Sequence, residues 1–146
     1  MKLSSRTRYG TRAMLDLALR YEAGPVSAKE IARRQEVSTK YLESLLAMLR
    51  SAGLIRSVRG AKGGHMLARR PDRITLREIF DVLEGCDGFV QCTTDPQVCE
   101  RAKTCVTQEV WARMYAACME ILEATTLEDL ARRARDKTPS ADMYYI

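Results

Sequence analysis

A single histidine, His65, is present among the 146 residues, and no long apolar run occurs anywhere in the chain. No window approaches the roughly 18 uncharged, mostly apolar residues that a membrane-spanning helix requires. The first residues lead into an amphipathic stretch rather than into the apolar centre of an export signal. We therefore expect an unexported, cytoplasmic protein that has no membrane partner.

The chain also lacks the residue pattern of an enzyme active site. No pairing of a nucleophile with a general base is visible, and the only histidine falls in a segment that predicts a surface hairpin. The length is sufficient to bury a core without the help of disulfides. These features argue against an enzyme and in favour of a binding protein.

Acidic residues are scarce in the first half of the chain. Residues 1–70 contain 15 lysines and arginines but only 5 aspartates and glutamates, whereas residues 71–146 contain 9 against 14. The halves thus carry about +10 and −5 within a net charge of +5. Because a generally basic surface would not segregate in this way, we predict that the first half faces nucleic acid and that the second half has another task.

Apolar spacing and capping residues predict a first and a second helix near the start of the chain. The first covers residues 4–21 and stops before a Gly-Pro pair. The second runs to about residue 35 and opens with Ser27 and Glu30, which have the spacing of a capping box. A third helix, capped by Ser38 and closed by Gly53, follows after a tight turn. Two short helices joined in this way are typical of a helix-turn-helix.

Two short strands are predicted next, over residues 54–59 and 65–69, around a glycine-rich turn. Thr75 and Glu78 then repeat the capping-box spacing and open a fourth helix that stops near Gly85. The order of three helices, a hairpin and a further helix predicts a mainly α fold. In it, a winged helix-turn-helix carries a small β-hairpin wing.

A long helix is predicted after Cys105. Its apolar residues are spaced for packing against a partner helix, so we interpret it as a C-terminal dimerisation helix. They are Val110, Met114, Ala117 and Ile121, supported by Trp111, Cys118 and Leu122. A last short helix, capped by Thr126, covers residues 127 to about 134. The predicted organisation is a DNA-binding domain in 1–84, a cysteine-rich loop in 85–105, the dimerisation and final helices in 106–134, and a flexible tail in 135–146.

The second helix of a helix-turn-helix lies in the major groove and uses residues near its amino end to contact bases. The side chains at that end can donate to phosphate or base, neutralise phosphate or, at Glu43, accept from a cytosine amino group. The predicted contacts are Ser38, Thr39, Lys40, Tyr41 and Glu43. The alternative is that they form only the solvated face of an amphipathic helix.

Basic residues crowd the predicted hairpin, where glycine amides can approach a phosphate closely. The predicted wing contacts are Arg59, Gly60, Lys62, Gly63 and His65, with Arg56, Arg69 and Arg70 adding positive charge nearby. His65 is interpreted as a DNA-facing or structural side chain and not as a metal ligand.

Three of the five cysteines, Cys92, Cys99 and Cys105, lie in one short polar segment. Clustered thiols that stay reduced in the cytoplasm suggest a metal. Zinc sites generally use gaps of about two to four residues, whereas iron-sulfur clusters tolerate the longer gaps found here. The alternative is three unrelated buried thiols, which the polar neighbours disfavour. Cys118 is explained by structural burial in the long helix, and Cys86 stands at the start of the loop.

The chain resembles the IscR-like family of iron-sulfur winged helix-turn-helix transcription regulators over essentially residues 1–134. The segments that carry the resemblance are Met1 to Ser4 with Arg8 to Gly10, Ala13 to Ala18, Ser38 to Leu45, and Ser57 to Gly64. The resemblance implies a homodimer crossed by a long helix. It also implies three cysteines that hold a [2Fe-2S] or [4Fe-4S] cluster whose state alters DNA binding, and here these are Cys92, Cys99 and Cys105.

The fourth ligand departs from the family pattern. Gln108 stands where IscR-type members have a histidine, and Arg8 stands where nitric-oxide-sensing relatives have an aspartate. Glu109, Cys86, Gln108 itself or an exogenous molecule are the remaining candidates. A cluster with incomplete thiolate ligation should be labile, as a sensor requires.

These observations predict a homodimeric regulator that binds palindromic double-stranded DNA, as a repressor or an activator, and senses iron-sulfur status, redox state or nitric oxide. The alternative is a regulator without a cluster, controlled by thiol oxidation or by a partner protein. In the oxidation case, Cys92 and Cys99 could pair.

Overall fold

A computed structural model describes residues 3–85 and 91–137. Its helices are α1 (Ser5–Leu19), α2 (Ala28–Gln35), α3 (Thr39–Ser51), α4 (Leu76–Leu83), α5 (Val106–Glu123) and α6 (Leu127–Lys137), and its strands are β1 (Ile55–Val58) and β2 (Gly64–Leu67). Three short 3-10 turns lie at Pro71–Arg73, Gln91–Thr93 and Pro96–Val98. This arrangement confirms the predicted mainly α fold with a small hairpin.

Hydroxyl side chains fix the starts of the helices. Ser38 accepts from the Tyr41 amide at 3.2 Å and caps α3, and Thr75 forms the complete predicted capping box at the start of α4. Only half of the box predicted at α2 forms, since Ser27 accepts from the Glu30 amide. The Glu30 carboxylate pairs instead with Arg34, one turn further along α2.

The two strands form an antiparallel hairpin in which Ile55 faces Leu67 and Val58 faces Gly64. The chain reverses at Gly60, where φ is +113°, a backbone conformation that glycine adopts without steric cost. A Cβ atom at Gly63 would collide with the Val58 carbonyl oxygen. His65 of β2 also exchanges two backbone hydrogen bonds of 3.0 and 2.7 Å with Val26, which lies between α1 and α2. These bonds attach the wing to the connection between the two helices.

The hydrophobic core lies where α1, α3, α4, α6 and the hairpin meet. The largest fully buried side chains include Met14, Leu42, Leu46, Ile79 and Leu127. Buried apolar area of this kind is the main stabilising contribution to a fold. The core therefore holds α3 with its polar end facing outward.

A buried carboxylate ties α1 to α2. Asp16 is only 4% exposed and accepts from Arg34 at 2.7 Å and from Arg20 at 3.0 Å. Both contacts are charge-assisted hydrogen bonds, which are the stronger class. This cluster fixes α2 against α1 and thus sets the geometry of the helix-turn-helix.

The helix α5 differs from the other helices because Met119 is its only buried residue. The final helix α6 extends to Lys137, three residues beyond the predicted end at about Ala134. The rest of the predicted tail, residues 138–146, lies outside the described residues. Within the described ranges, no helix has the length and apolar character needed to cross a membrane.

Candidate nucleic-acid interface and cysteine segment

The third helix, α3, has a buried apolar face and an exposed polar end. Leu42, Leu45, Leu46 and Leu49 are buried in the core. Ser38, Lys40 and Glu43 are exposed, while Thr39 and Tyr41 are half-buried. The five predicted contact residues thus lie at the N-cap and in the first turns of α3, where a major-groove helix presents its side chains.

The wing carries two exposed basic side chains near its turn, Arg59 and Lys62. Neither is part of an ion pair in the described portion of the chain. Arg69 and Arg70 behave differently, because Arg69 pairs with Glu78 at 2.6 Å and Arg70 with Asp72 at 2.8 Å. The sequence indicates basic charge at all four positions. Among the described residues, the structure pairs Arg69 and Arg70 with carboxylates and leaves Arg59 and Lys62 unpaired.

His65 lies half-buried in β2, beside the Ser57 hydroxyl that links the wing to α3. Its Nδ1 atom is 3.3 Å from the Ser57 hydroxyl, which also accepts from Arg50 on α3 at 3.3 Å. Burial lowers the pKa of His65, the positive charge of Arg50 lowers it further, and Glu43 opposes them. Sequence reasoning missed Arg50 and Ser57, whose roles depend on contacts between separate elements.

A second link that the sequence did not reveal joins the start of α1 to the end of α4. The Glu84 carboxylate accepts from the Ser4 hydroxyl at 2.6 Å, from the Ser4 amide at 3.3 Å and from the Thr7 hydroxyl. These hydrogen bonds, led by the Ser4 hydroxyl, lower the pKa of Glu84. Because Glu84 precedes Gly85, the contact lies where the chain leaves the winged domain for the cysteine segment.

The three cysteines of the segment occupy different local structures. Cys92 lies in the turn Gln91–Thr93, Cys99 follows the turn Pro96–Val98, and Cys105 is the N-cap of α5. All three are half-buried and none is in a disulfide. The sulfur of Cys105 is 3.2 Å from the Thr107 hydroxyl. That contact, followed by the Gln108 amide, lowers the pKa of the thiol.

Gln108 connects the first turn of α5 to the first cysteine. Its side-chain amide donates to the backbone carbonyl of Cys92 at 3.1 Å. Gln108 therefore holds the turn around Cys92 against α5 instead of pointing freely toward solvent. Cys86 lies outside the described residues. Cys118, explained by burial from the sequence, is half-buried and not in the core.

The donor set fits an iron-sulfur cluster in its chemistry, since clusters are held by cysteine thiolates. The arrangement of these three cysteines, however, is not that of a closed metal site. Across residues 3–85 and 91–137, no three histidine, cysteine, aspartate or glutamate side chains are grouped so that they could hold a metal ion. Binding of a cluster would therefore require the segment between α4 and α5 to draw its thiols together.

One face of α5 is apolar and open to solvent. Val110, Trp111, Met114 and Ile121 are 50%, 40%, 44% and 66% exposed. Large apolar side chains grouped in this way commonly mark a contact with another protein. These four residues, all predicted to pack on a partner helix, are thus exposed in the single chain.

The fold and the exposed end of α3 define a winged helix-turn-helix transcription regulator. Residues 3–133 match the Rrf2 family, described as "Iron-dependent Transcriptional regulator", and the chain belongs to that family. The resemblance to IscR-like regulators is thereby confirmed.

Two kinds of relative stand out. The transcriptional regulator CymR of Bacillus subtilis is 42% identical over 146 residues, covering 100% of both chains. The solved structure of CymR, titled the global cysteine regulator of B. subtilis, has a TM-score of 0.77 at 44% identity and covers 91% of this chain and 98% of that one. The structure titled T. potens IscR has a TM-score of 0.79 at 41% identity, with coverage of 99% and 97%. These relatives are named regulators and not enzymes, as the sequence predicts.

Proposed function

We propose that this regulator binds palindromic double-stranded DNA as a homodimer, with α3 in the major groove and the hairpin wing against the adjacent backbone. The observation that carries the proposal is the exposed polar end of α3 beside a wing tip whose Arg59 and Lys62 have no carboxylate partner in the described residues. Uncompensated cations on one surface are the electrostatic footprint of nucleic-acid binding.

The side chains divide into two roles. Lys40, Arg59 and Lys62 neutralise phosphates, and the backbone at Gly60 and Gly63 allows the wing to approach closely. Glu43 would be repelled by phosphate, so its exposed position in α3 favours acceptance from a cytosine amino group. Ser38, Thr39, Tyr41 and His65 complete the proposed contact set.

The homodimer is proposed to form through α5. Its exposed apolar face has the spacing of a helix that packs against another helix. A shallow surface groove on this face is lined by Val110, Arg113, Met114, Ala116, Ala117 and Glu120. The small alanines allow a second helix to approach closely. Two-fold pairing through α5 would place two copies of α3 on the two half-sites of a palindrome.

The cysteine segment is proposed to hold a [2Fe-2S] or [4Fe-4S] cluster through Cys92, Cys99 and Cys105. When bound, such a group supplies a redox-active centre that oxygen, nitric oxide or iron shortage can alter. Gln108, Glu109, Cys86 and an exogenous molecule remain the candidates for the fourth ligand. The cluster would affect DNA binding only if its ligation differs in free energy between the two DNA-binding states.

A second candidate function is a thiol-controlled or partner-controlled regulator without a cluster. It is favoured by the similarity to CymR, titled a cysteine regulator, and by thiols that are accessible but not grouped for metal. In this case, oxidation of the reduced thiols or a partner protein would change DNA affinity. Both functions share the same DNA-binding surface, and both assume a cytoplasmic setting in which thiols are kept reduced.

Anaerobic purification distinguishes the two. The wild-type chain should show visible absorption together with iron and acid-labile sulfide. Cys92→Ala, Cys99→Ala and Cys105→Ala should each lose these signals, and Cys118→Ala should keep them as the matched control. A colourless wild type without iron or sulfide, even after anaerobic reconstitution, overturns the cluster proposal and leaves the thiol-controlled regulator.

The docking on DNA is tested separately. Lys40→Ala and Arg59→Ala should weaken binding to duplex DNA and make its salt dependence shallower, because each removes a phosphate contact. Arg70→Ala is the control, since Asp72 already neutralises this arginine. Unchanged affinity in both test variants would contradict the proposed docking.

A further inference from the structure

We infer that Arg8 and Arg12, on the first turns of α1, form a third DNA contact that binds backbone phosphates beside the recognition helix. This inference rests on the proposed DNA-binding function. It adds a surface that lies outside both α3 and the wing.

The two arginines share one aromatic side chain. The guanidinium carbons of Arg8 and Arg12 lie 5.8 and 5.4 Å from the centre of the Tyr9 ring. Both arginines are exposed, and they lie four residues apart on the same helix, so their side chains are neighbours. Stacking on a ring restricts a long, flexible side chain before it binds and so reduces the entropic cost of binding.

The pair is fixed next to the helix-turn-helix. The ring of Tyr9 packs edge-on against the ring of Tyr41, with 6.2 Å between their centres, and Tyr41 lies in the first turn of α3. Arg12 also donates to the side chain of Gln35, the last residue of α2, at 2.8 Å. When the start of α3 enters the groove, these contacts place Arg8 and Arg12 at the groove's edge, where the phosphates lie.

The charges of this pair are uncompensated. Neither Arg8 nor Arg12 is in an ion pair anywhere in residues 3–85 and 91–137. Farther along α1, Arg20 pairs with Asp16 instead. Arg6 is not a member of the pair, because the two arginines that stack on the Tyr9 ring are Arg8 and Arg12.

Guanidinium groups are suited to phosphate because their planar N–H donors match two phosphate oxygens at once. A phosphate contact orients the protein on the duplex without reading its sequence. The loss of either arginine should therefore weaken binding to every duplex to a similar degree. It should not change which sequence is preferred.

The test is fluorescence anisotropy of the full-length protein on a labelled mixed-sequence DNA duplex over a range of salt concentrations. Each phosphate that is no longer neutralised should make the slope of log affinity against log salt shallower by about 0.9, hence by about 1.8 per dimer for Arg8→Ala or Arg12→Ala. Arg8→Lys keeps the charge and should retain most of the slope. Arg133→Ala removes an exposed charge from α6 and should leave the slope unchanged.

The outcomes separate this inference from the proposed function. Circular dichroism and the melting temperature verify that each variant is folded. A wild-type chain that fails to bind duplex DNA overturns the proposed function. A wild type that binds, with folded Arg8→Ala and Arg12→Ala variants of unchanged slope, overturns the α1 contact alone and makes the stacking on Tyr9 purely structural.

Discussion

Substitution of Asp16 by alanine should strongly destabilise the fold. Asp16 is 4% exposed and accepts from Arg34, whose side chain is only 16% exposed. The substitution would leave the Arg34 guanidinium largely enclosed by protein, with the exposed Glu30 carboxylate as its remaining ion-pair partner. Removal of one member of a buried ion pair costs about 3–5 kcal/mol. Because Arg34 retains some contact with water, we expect the lower end, about 3 kcal/mol.

For a chain of this size, each kcal/mol lost from the free energy of unfolding lowers Tm by about 2–4 °C, so Asp16→Ala should lower Tm by about 6–12 °C. Urea unfolding followed by circular dichroism measures the free energy of unfolding directly. The protein concentration must be the same in every experiment, because dissociation of a dimer contributes to the apparent stability.

Arg20→Ala is the matched control. Arg20 donates to the same carboxylate, but its side chain is 37% exposed, and pairs of this kind contribute about 0–1 kcal/mol. If Asp16→Ala destabilises the chain no more than Arg20→Ala, then the buried cluster does not hold α2 against α1.

Three further predictions concern the wing and the long helix. The pKa of His65 is lowered in the folded chain, so the contribution of this side chain to stability is complete above the unfolded pKa of about 6.5 and is lost as pH falls. His65→Gln should therefore flatten the decline in the free energy of unfolding between about pH 7 and 5. An unaltered pH profile would contradict this prediction. Gly63→Ala should lower Tm and DNA affinity, because the added Cβ atom collides with the Val58 carbonyl oxygen. An unchanged Tm would show that the backbone of the turn shifts to accommodate the added atom, and would contradict this prediction. Met114→Glu and Ile121→Glu should convert the dimer to a monomer in analytical ultracentrifugation, and a dimer that survives both excludes this face of α5 as the interface.

Local sequence patterns predicted most of the helix starts because capping is a short-range interaction. Ser38 and Thr75 each need only a backbone amide three residues ahead. The pattern failed at Glu30, where Arg34 competes for the carboxylate that a capping box requires. The capping-box rule considers only the four residues from Ser27 to Glu30, so it does not account for Arg34, which lies one turn further along the helix.

Long-range contacts of the candidate site could not be predicted in this way. Glu84 reaches Ser4 across 80 positions of sequence, and Arg50 meets Ser57 only because α3 packs on the hairpin. For the same reason, the sequence identified the cysteines as candidate ligands but gave no information on their separation. Their spacing along the chain restricts which centres are possible, whereas convergence depends on how the segment folds between α4 and α5.

The proposed function depends on recognition of a two-fold DNA sequence through α3. This recognition is tested by selecting bound duplexes from a random-sequence library with the purified protein and sequencing them. For the wild-type chain, we predict enrichment of an inverted repeat whose half-sites are separated by about one helical turn of DNA or by a multiple of one turn. For Glu43→Ala, we predict a weaker preference at one base pair in each half-site. A library that remains unenriched after repeated selection, with protein that is folded and dimeric, would contradict it.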